Sequence, residues 1–251
     1  RAFPSSIETR PGSSLGCFRG RLHGMYPLMI RVLLFDLDNT LYPSSSPMES
    51  EIVSRMNEYT ARFLNLSVEE ALDRRRAEIP RHGTTLEWLM SEYGFDDPEG
   101  YLAAVHPEGE EASIDPDPAL GDFLRSLPYP KAVFTNSTKE HADRVLGKLG
   151  FPEVFQAVFD IRFNHLKGKP HPAAGLRVCS ALGVKPSEAV LVDDLPRYVR
   201  GFVECGGNGV LLDDRNRHPD CDGLRIASLY ELAPLLSEGR LGTPTAFDPE
   251  C

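Results

Sequence analysis

The chain has 251 residues, 41% of them hydrophobic and 25% charged, with a formal net charge of −10. That length suits one sizeable domain, or a core domain with a smaller insertion. The excess of acid argues against a protein that grips the nucleic-acid backbone and leaves room for a small phosphorylated ligand, because a bound cation can reverse the local sign. No apolar run approaches membrane-spanning length. The five cysteines are scattered and odd in number, with no Cys-x-x-Cys pair. Neither a zinc site nor a disulfide framework is suggested, and a reducing, cytoplasmic setting is expected.

Residues 1–28 are Arg- and Ser-rich with a single acid, Glu8. They read as a disordered leader, as sequence upstream of a start at Met25 or Met29, or as an organelle transit peptide, which would move the protein out of the cytoplasm. Val32 to Phe35 form an unbroken apolar run, the pattern of a strand buried on both faces of a parallel sheet. The run ends in Asp36-Leu37-Asp38. Residues two apart on an extended chain share a side, so both carboxylates are expected to leave the strand end in one direction. Two acids at the carboxyl end of a strand need a partner, and a hard cation such as Mg²⁺ supplies one.

From Glu49 to about Leu102 the pattern turns helical, with Ile52, Met56, Tyr59 and Phe63 on one face and a capping box at Ser67 and Glu70. Nothing reads as a strand before Lys131. Ala132 to Thr135 is a second apolar strand, and Ser137 with Glu140 is expected to cap the helix that follows. Strand, polar turn and capped helix together offer backbone N–H groups to an anion. Val154 to Asp160 reads as a third strand. Gly168-Lys169-Pro170-His171-Pro172 then precedes a helix, and Lys167, two residues before Lys169, is expected to be solvated. Ala189 to Asp193 is a further buried strand, ending in the paired acids Asp193 and Asp194. Gly206-Gly-Asn-Gly209 is a helix-to-strand turn, since its glycine spacing is not that of a dinucleotide fingerprint. Leu224 to Ile226 reads as an edge strand, and the residues from Gly239 onward as a loose tail.

Asp36-Leu-Asp-Asn-Thr40, Thr135-Asn-Ser137, Gly168-Lys-Pro-His-Pro172 and Asp193-Asp194 resemble, in order, the four motifs of the haloacid dehalogenase-like superfamily, and specifically its phosphatases. The resemblance implies an α/β fold: a Rossmann-like doubly wound parallel sheet with an inserted helical cap. The core is expected over 29–45 and 119–235, the cap over 46–118 and a tail over 236–251. It implies Asp36 as nucleophile, giving an aspartyl-phosphate, and Asp38 as acid and base. Thr135, Asn136 and Lys169 are implied to bind phosphate, with Thr135 and Lys169 catalytic. Mg²⁺ is implied on Asp36, Asp38 (through its carbonyl), Asp193 and Asp194. One departure stands out: the subgroup follows its last acid with Ser and then Asn or Asp, where this chain has Leu195 and Tyr198.

Asp36 to Pro43, His82-Gly-Thr-Thr-Leu86, Ala104-Val-His106 and Asp115-Pro-Asp-Pro118 look like the pyrimidine 5′-nucleotidase subgroup. That likeness implies a nucleoside monophosphate substrate, with Gly83, Thr84 and Thr85 reaching in from the cap. The alternatives are a phosphatase for phosphoglycolate or a sugar phosphate, and a non-catalytic protein that binds phosphate ligands or a protein partner.

Overall fold

A computed structural model describes residues 29–238 and Leu241. The expectations for residues 1–28 and for most of the tail lie outside the described residues.

Six strands form one parallel sheet: β1 (Val32–Phe35), β2 (Lys131–Phe134), β3 (Val158–Phe159), β4 (Ala189–Asp193), β5 (Asn208–Leu212) and β6 (Arg225–Ile226). Their spatial order is β3-β2-β1-β4-β5-β6. The chain winds outward from β1 to one side, then returns to its other side, so β1 and β4 meet at the topological switch point. Ligands bind outside the carboxyl ends of strands at such a point. Every residue of β1 and β4 is buried, which is why both read as continuous apolar runs rather than alternating ones.

Five α-helices lie between β1 and β2, the first four being α1 (Pro47–Leu64), α2 (Val68–His82), α3 (Thr85–Tyr93) and α4 (Pro98–Val105). Local chemistry sets their ends. Ser46 caps α1, and Ser67 with Glu70 forms the expected capping box on α2. Gly83 leaves α2 with φ of 82° and packs within van der Waals reach of Pro170, so the chain turns there at a point that a side chain would obstruct. A short 3-10 turn (Glu110–Ser113) and α5 (Pro118–Ser126) lead back to the sheet. The connections on the sheet are α6 (Lys139–Leu149), α7 (Pro172–Ala181) and α8 (Pro196–Glu204), with α9 (Leu232–Ser237) at the end. The core divides around the sheet. Leu33, Phe35, Val133 and Val190 join the side continuous with Trp88, Leu89 and Leu102, while Leu34, Phe134 and Leu191 pack on Val178 and Phe202.

Two sequence expectations are corrected. The third strand is only Val158–Phe159, because Pro152–Val154 form a 3-10 turn and β3 is an edge strand paired to β2 alone. The cap of α6 is Thr138, whose side chain accepts from His141 N–H; Ser137 is engaged elsewhere.

Candidate active site

The chain leaves β1 at Asp36, whose N–H donates to Val192 O at 2.9 Å and so locks the strand end against β4. It then turns at once, with Leu41 N–H donating to Leu37 O and Asn39 at φ of 59°. The extended geometry expected for Asp36-Leu37-Asp38 therefore stops at Asp36. Both acids line one cleft of about 260 Å³, but their carboxylates take different partners.

Asp36 Oδ1 accepts from Lys169 Nζ at 2.6 Å, and Asp193 Oδ2 accepts from the same ammonium at 2.5 Å. Lys169 is 2% exposed, and its ammonium sits 5.0 Å from the ring centre of Tyr198 and 5.4 Å from that of Phe134. Lys167 is exposed, as expected. Asp36, Asp193 and Asp194 each present an oxygen within 4.8 Å of the others. The Asp38 carboxylate does not join that cluster; only its backbone carbonyl remains as a candidate ligand.

Burial pushes Asp36 up to about 7, reinforced by the charges of Asp193 and Asp38 and opposed by Lys169. Burial, then Asp193 and Asp36, push Asp194 up to about 9. Lys169 is displaced upward, because the two acids outweigh the penalty of burying it. Three buried carboxylates against one lysine leave an excess of negative charge that protons would otherwise neutralise. The all-oxygen donor set suits a hard divalent cation such as Mg²⁺. Arg217, 3.5 Å from Asp194 and a third exposed, is too solvated to balance that excess.

Asn136 and Thr135 follow β2. Thr135 is buried, and its hydroxyl accepts from Ser137 N–H at 3.0 Å. The Asn136 amide is bidentate with the backbone of Lys169, donating to its carbonyl and accepting from its N–H, both at 2.8 Å. Asn136 thus fixes the lysine loop as well as lining the cleft. The loop approaches so closely that a Cβ on Gly168 would lie 1.9 Å from Asn136 Oδ1.

Asp38 is gripped from three sides. Tyr42 Oη donates to its Oδ1 at 2.8 Å, Ser137 Oγ to its Oδ2 at 2.6 Å, and His141 Nε2 lies 2.8 Å from Oδ1. Behind the imidazole, His141 Nδ1 is 2.6 Å from Glu110 Oε1. The other oxygen of Glu110 pairs with Arg55 at 2.5 Å, and Arg144 reaches Oε1 at 3.2 Å. Burial alone would lower His141, but Asp38 and Glu110 raise it to about 9, so it is an imidazolium donating to both. Burial would raise Asp38, yet His141 and Ser137 hold it well below the usual carboxylate range. His106 packs against His141, with ring centroids 4.2 Å apart and the planes tilted by 40°.

Thr84 caps α3, Thr85 Oγ1 accepts from Arg75 Nε at 2.9 Å, and Gly83 O lies 3.5 Å from Tyr198 Oη. All three residues of the Gly83–Thr85 turn line the same cleft as Asp36, Thr135 and Asp194. Tyr198, the departure from the subgroup pattern, thus bridges the lysine and the inserted helices. At Leu195 the backbone N–H donates to Asp193 Oδ1 at 2.9 Å, an orienting contact that needs no particular side chain. His141, Glu110, Tyr42 and Arg75 were missed as site residues. Each sits inside a helical or turn pattern that local structure already explains.

Fold and site together define an α/β protein built around a buried acid–lysine centre at the switch point of a parallel sheet. The family model described as haloacid dehalogenase-like hydrolase matches residues 30–206, well over half of the chain, and the chain belongs to that family of hydrolases. It is 29% identical to the glyceraldehyde 3-phosphate phosphatase of Methanopyrus kandleri, over 71% of this chain and 82% of that protein. Identity to the validoxylamine A 7′-phosphate phosphatase of Streptomyces hygroscopicus subsp. limoneus is 25%, over 71% and 83%. Among solved structures, the HAD phosphatase from Thermococcus onnurineus is similar in fold, with a TM-score of 0.56 at 24% identity over 82% of this chain and 98% of that one. The L-2-haloacid dehalogenase from Xanthobacter autotrophicus is equally similar in fold at 18% identity, over 84% and 99%.

Proposed function

We propose that the protein is a Mg²⁺-dependent phosphoric monoester hydrolase acting through an aspartyl-phosphate on Asp36. The observation that carries this reading is the Lys169 bridge between Asp36 and Asp193, with Asp194 beside it, at the switch point. Asp36 is the nucleophile toward phosphorus. Lys169, held by the Asn136 clamp, neutralises Asp36 and the incoming phosphoryl oxygens, and Thr135 binds one of those oxygens. Asp36, Asp194 and the Asp38 carbonyl would hold Mg²⁺, with Asp193 oriented behind them by Lys169 and Leu195. Bound there, the ion would supply charge neutralisation for the transferring group.

Asp38 separates this chemistry from halide displacement, since a departing alkoxide needs a proton and a halide does not. In the arrangement described Asp38 is an anion, the form that deprotonates the hydrolytic water. Its acid form draws on the proton that His141 Nε2 already holds against Oδ1. The substrate is a small phosphomonoester. The cap segments around Gly83-Thr84-Thr85 support a nucleoside 5′-monophosphate; the relatives named for glyceraldehyde 3-phosphate and validoxylamine A 7′-phosphate support a sugar-like phosphate instead. Among the described residues no helix is long and apolar enough to cross a membrane, and the free thiols of Cys179 and Cys205 suit the reducing cytoplasm.

Release of phosphate from p-nitrophenyl phosphate with Mg²⁺, and its loss in EDTA, tests the reading. Asp36→Asn is expected to lower turnover on the order of a thousandfold or more. Wild-type rates in that variant would remove Asp36 as nucleophile.

A further inference from the structure

Arg75, on α2, is 6% exposed, lines the cleft that holds Asp36, and has no acidic partner among the described residues. Its neighbours are neutral. Nε donates to Thr85 Oγ1 at 2.9 Å, one terminal nitrogen to Asn57 Oδ1, and the other lies 3.0 Å from the thioether sulfur of Met56. A guanidinium has five N–H groups and stays charged in proteins. Two carbonyl-type or hydroxyl acceptors and a sulfur leave part of that fork unmet. Burial accordingly pulls Arg75 below its ordinary value, and no carboxylate acts to restore it. A chain with ten more acids than bases has an abundance of carboxylates to spend on a buried arginine, yet places none here.

A second group beside the same cleft is also unmatched. Tyr101, on α4, is 2% exposed, and its hydroxyl makes no well-formed hydrogen bond, with the Thr85 hydroxyl the one polar side chain close enough to interact weakly. Burial, only partly countered by Arg75 and Thr85, pushes that hydroxyl up to about 12, so it is a neutral donor at any ordinary pH. A buried cation with no counter-charge and a buried donor with no well-formed hydrogen bond, both on the cap side of a phosphoryl-transfer cleft, share one remedy, an anionic oxygen group brought by the ligand.

We infer that Arg75 and Tyr101 form a distal anion subsite, and that the substrate is a phosphomonoester carrying a second anionic group, a carboxylate or another phosphate, away from the bond that is cleaved. The inference rests on the phosphomonoesterase reading and narrows it. It favours acid-bearing small phosphates over a nucleotide, whose base offers only neutral carbonyl oxygens to the guanidinium.

The test compares wild-type kcat/KM for paired esters: 2-phosphoglycolate against ethyl phosphate, 3-phosphoglycerate against glycerol 3-phosphate, and fructose 1,6-bisphosphate against fructose 1-phosphate, with UMP alongside. At least a tenfold preference for an acid-bearing member is expected, and the pair that shows it tells carboxylate from phosphate. In Arg75→Gln that ratio should fall toward one, mainly through KM, and Arg75→Lys should restore part of it. Calorimetric binding of 2-phosphoglycolate and 3-phosphoglycerate to wild type and Arg75→Gln, with circular dichroism to check folding, gives the same comparison without turnover. Hydrolysis with no preference in any pair, or a ratio unchanged in Arg75→Gln, overturns the subsite. So does a UMP rate above every acid-bearing ester. Failure to hydrolyse any ester, p-nitrophenyl phosphate included, would sink the phosphomonoesterase reading instead, and the binding comparison would still decide the subsite: a loss of about tenfold or more in Arg75→Gln supports it, and equal affinity overturns it.

Discussion

At the scale of single residues, the chain couples its proposed catalytic acid to a buried relay. Asp38, His141 and Glu110 run in line from the cleft to the two arginines Arg55 and Arg144. Without the imidazolium, Asp38 would keep only two of its three hydrogen bonds and would lose the neighbouring positive charge that holds its proton affinity down. His141→Asn should therefore lower kcat by about a hundredfold with a smaller change in KM, and move the acid limb of the pH–rate profile upward. Stopped-flow or steady-state assays of aryl phosphate hydrolysis across pH 5–9 read both effects. A variant with the wild-type profile would show that His141 only fills space. Asp36, Thr135, Lys169 and Asp194 stood out in the sequence as candidates because each follows an apolar strand or a marked turn. It hid His141 inside an amphipathic helix whose apolar positions, Ala142 and Val145, already account for the pattern. Arg75 was hidden differently. It stands in the run Arg74-Arg75-Arg76 on a helix, where three adjacent identical side chains carry no local sign of which is buried; the fold exposes the outer two and buries the middle one.

At the scale of elements, the strands β1, β2 and β4 were legible because burial on both faces removes polar alternation, and α2 because its capping box is written in adjacent residues. Elements whose identity depends on a distant partner were not. Residues 154–160 carry enough apolar side chains for a strand, but β3 has one neighbour in the sheet and extends only as far as β2 pairs with it. Ser137 and Thr138 are equivalent caps on paper; the demand of Asp38 for a donor takes Ser137 and leaves Thr138 to the helix. The loop bearing Lys169 depends on a similar tertiary constraint. Its Gly168 faces Asn136 Oδ1 at a hypothetical Cβ distance of 1.9 Å, so Gly168→Ala must displace the amide that clamps Lys169. A loss of about 1–3 kcal/mol in unfolding free energy, measured in urea, is expected together with a fall in kcat. Unchanged stability and rate would mean that the loop relaxes freely and that the clamp is not needed.

At the scale of the whole molecule, inserted helices and sheet share one apolar cluster, in which Trp88, Leu89 and Leu102 join Leu33 and Phe35, and polar contacts add to it. His171 meets Glu87 at 2.7 Å, Arg197 donates to Ile79 O at 3.2 Å, and Arg144 donates to His106 O at 3.1 Å. The same molecule concentrates its unbalanced charge at the switch point, and this makes stability depend on pH and on the metal together. Asp36 and Asp194 are raised from an ordinary 3.8 to about 7 and about 9 in the metal-free fold. A raised carboxyl stabilises the fold fully below its unfolded pKa, and that contribution is lost as pH rises through the folded value. His141, raised from 6.5 to about 9, acts in the same direction over the same range. Glu110 is held down to about 2 by His106 and His141 against the effect of burial; its contribution is complete above 4.5 and is lost only as pH falls through the acid range. The metal-free protein in EDTA should therefore lose Tm between pH 6 and 9. Mg²⁺ acts on the acids and not on the imidazole, so it should restore the part due to Asp36 and Asp194. At about a hundredfold excess over Kd the gain amounts to about 2.7 kcal/mol, and because Kd itself weakens as the acids protonate, the gain in Tm at a fixed Mg²⁺ concentration should be larger at pH 8 than at pH 6. Thermal unfolding at both pH values with and without Mg²⁺ measures it. A gain equal at the two values, or larger at pH 6, would show that Asp36 and Asp194 do not share the ion.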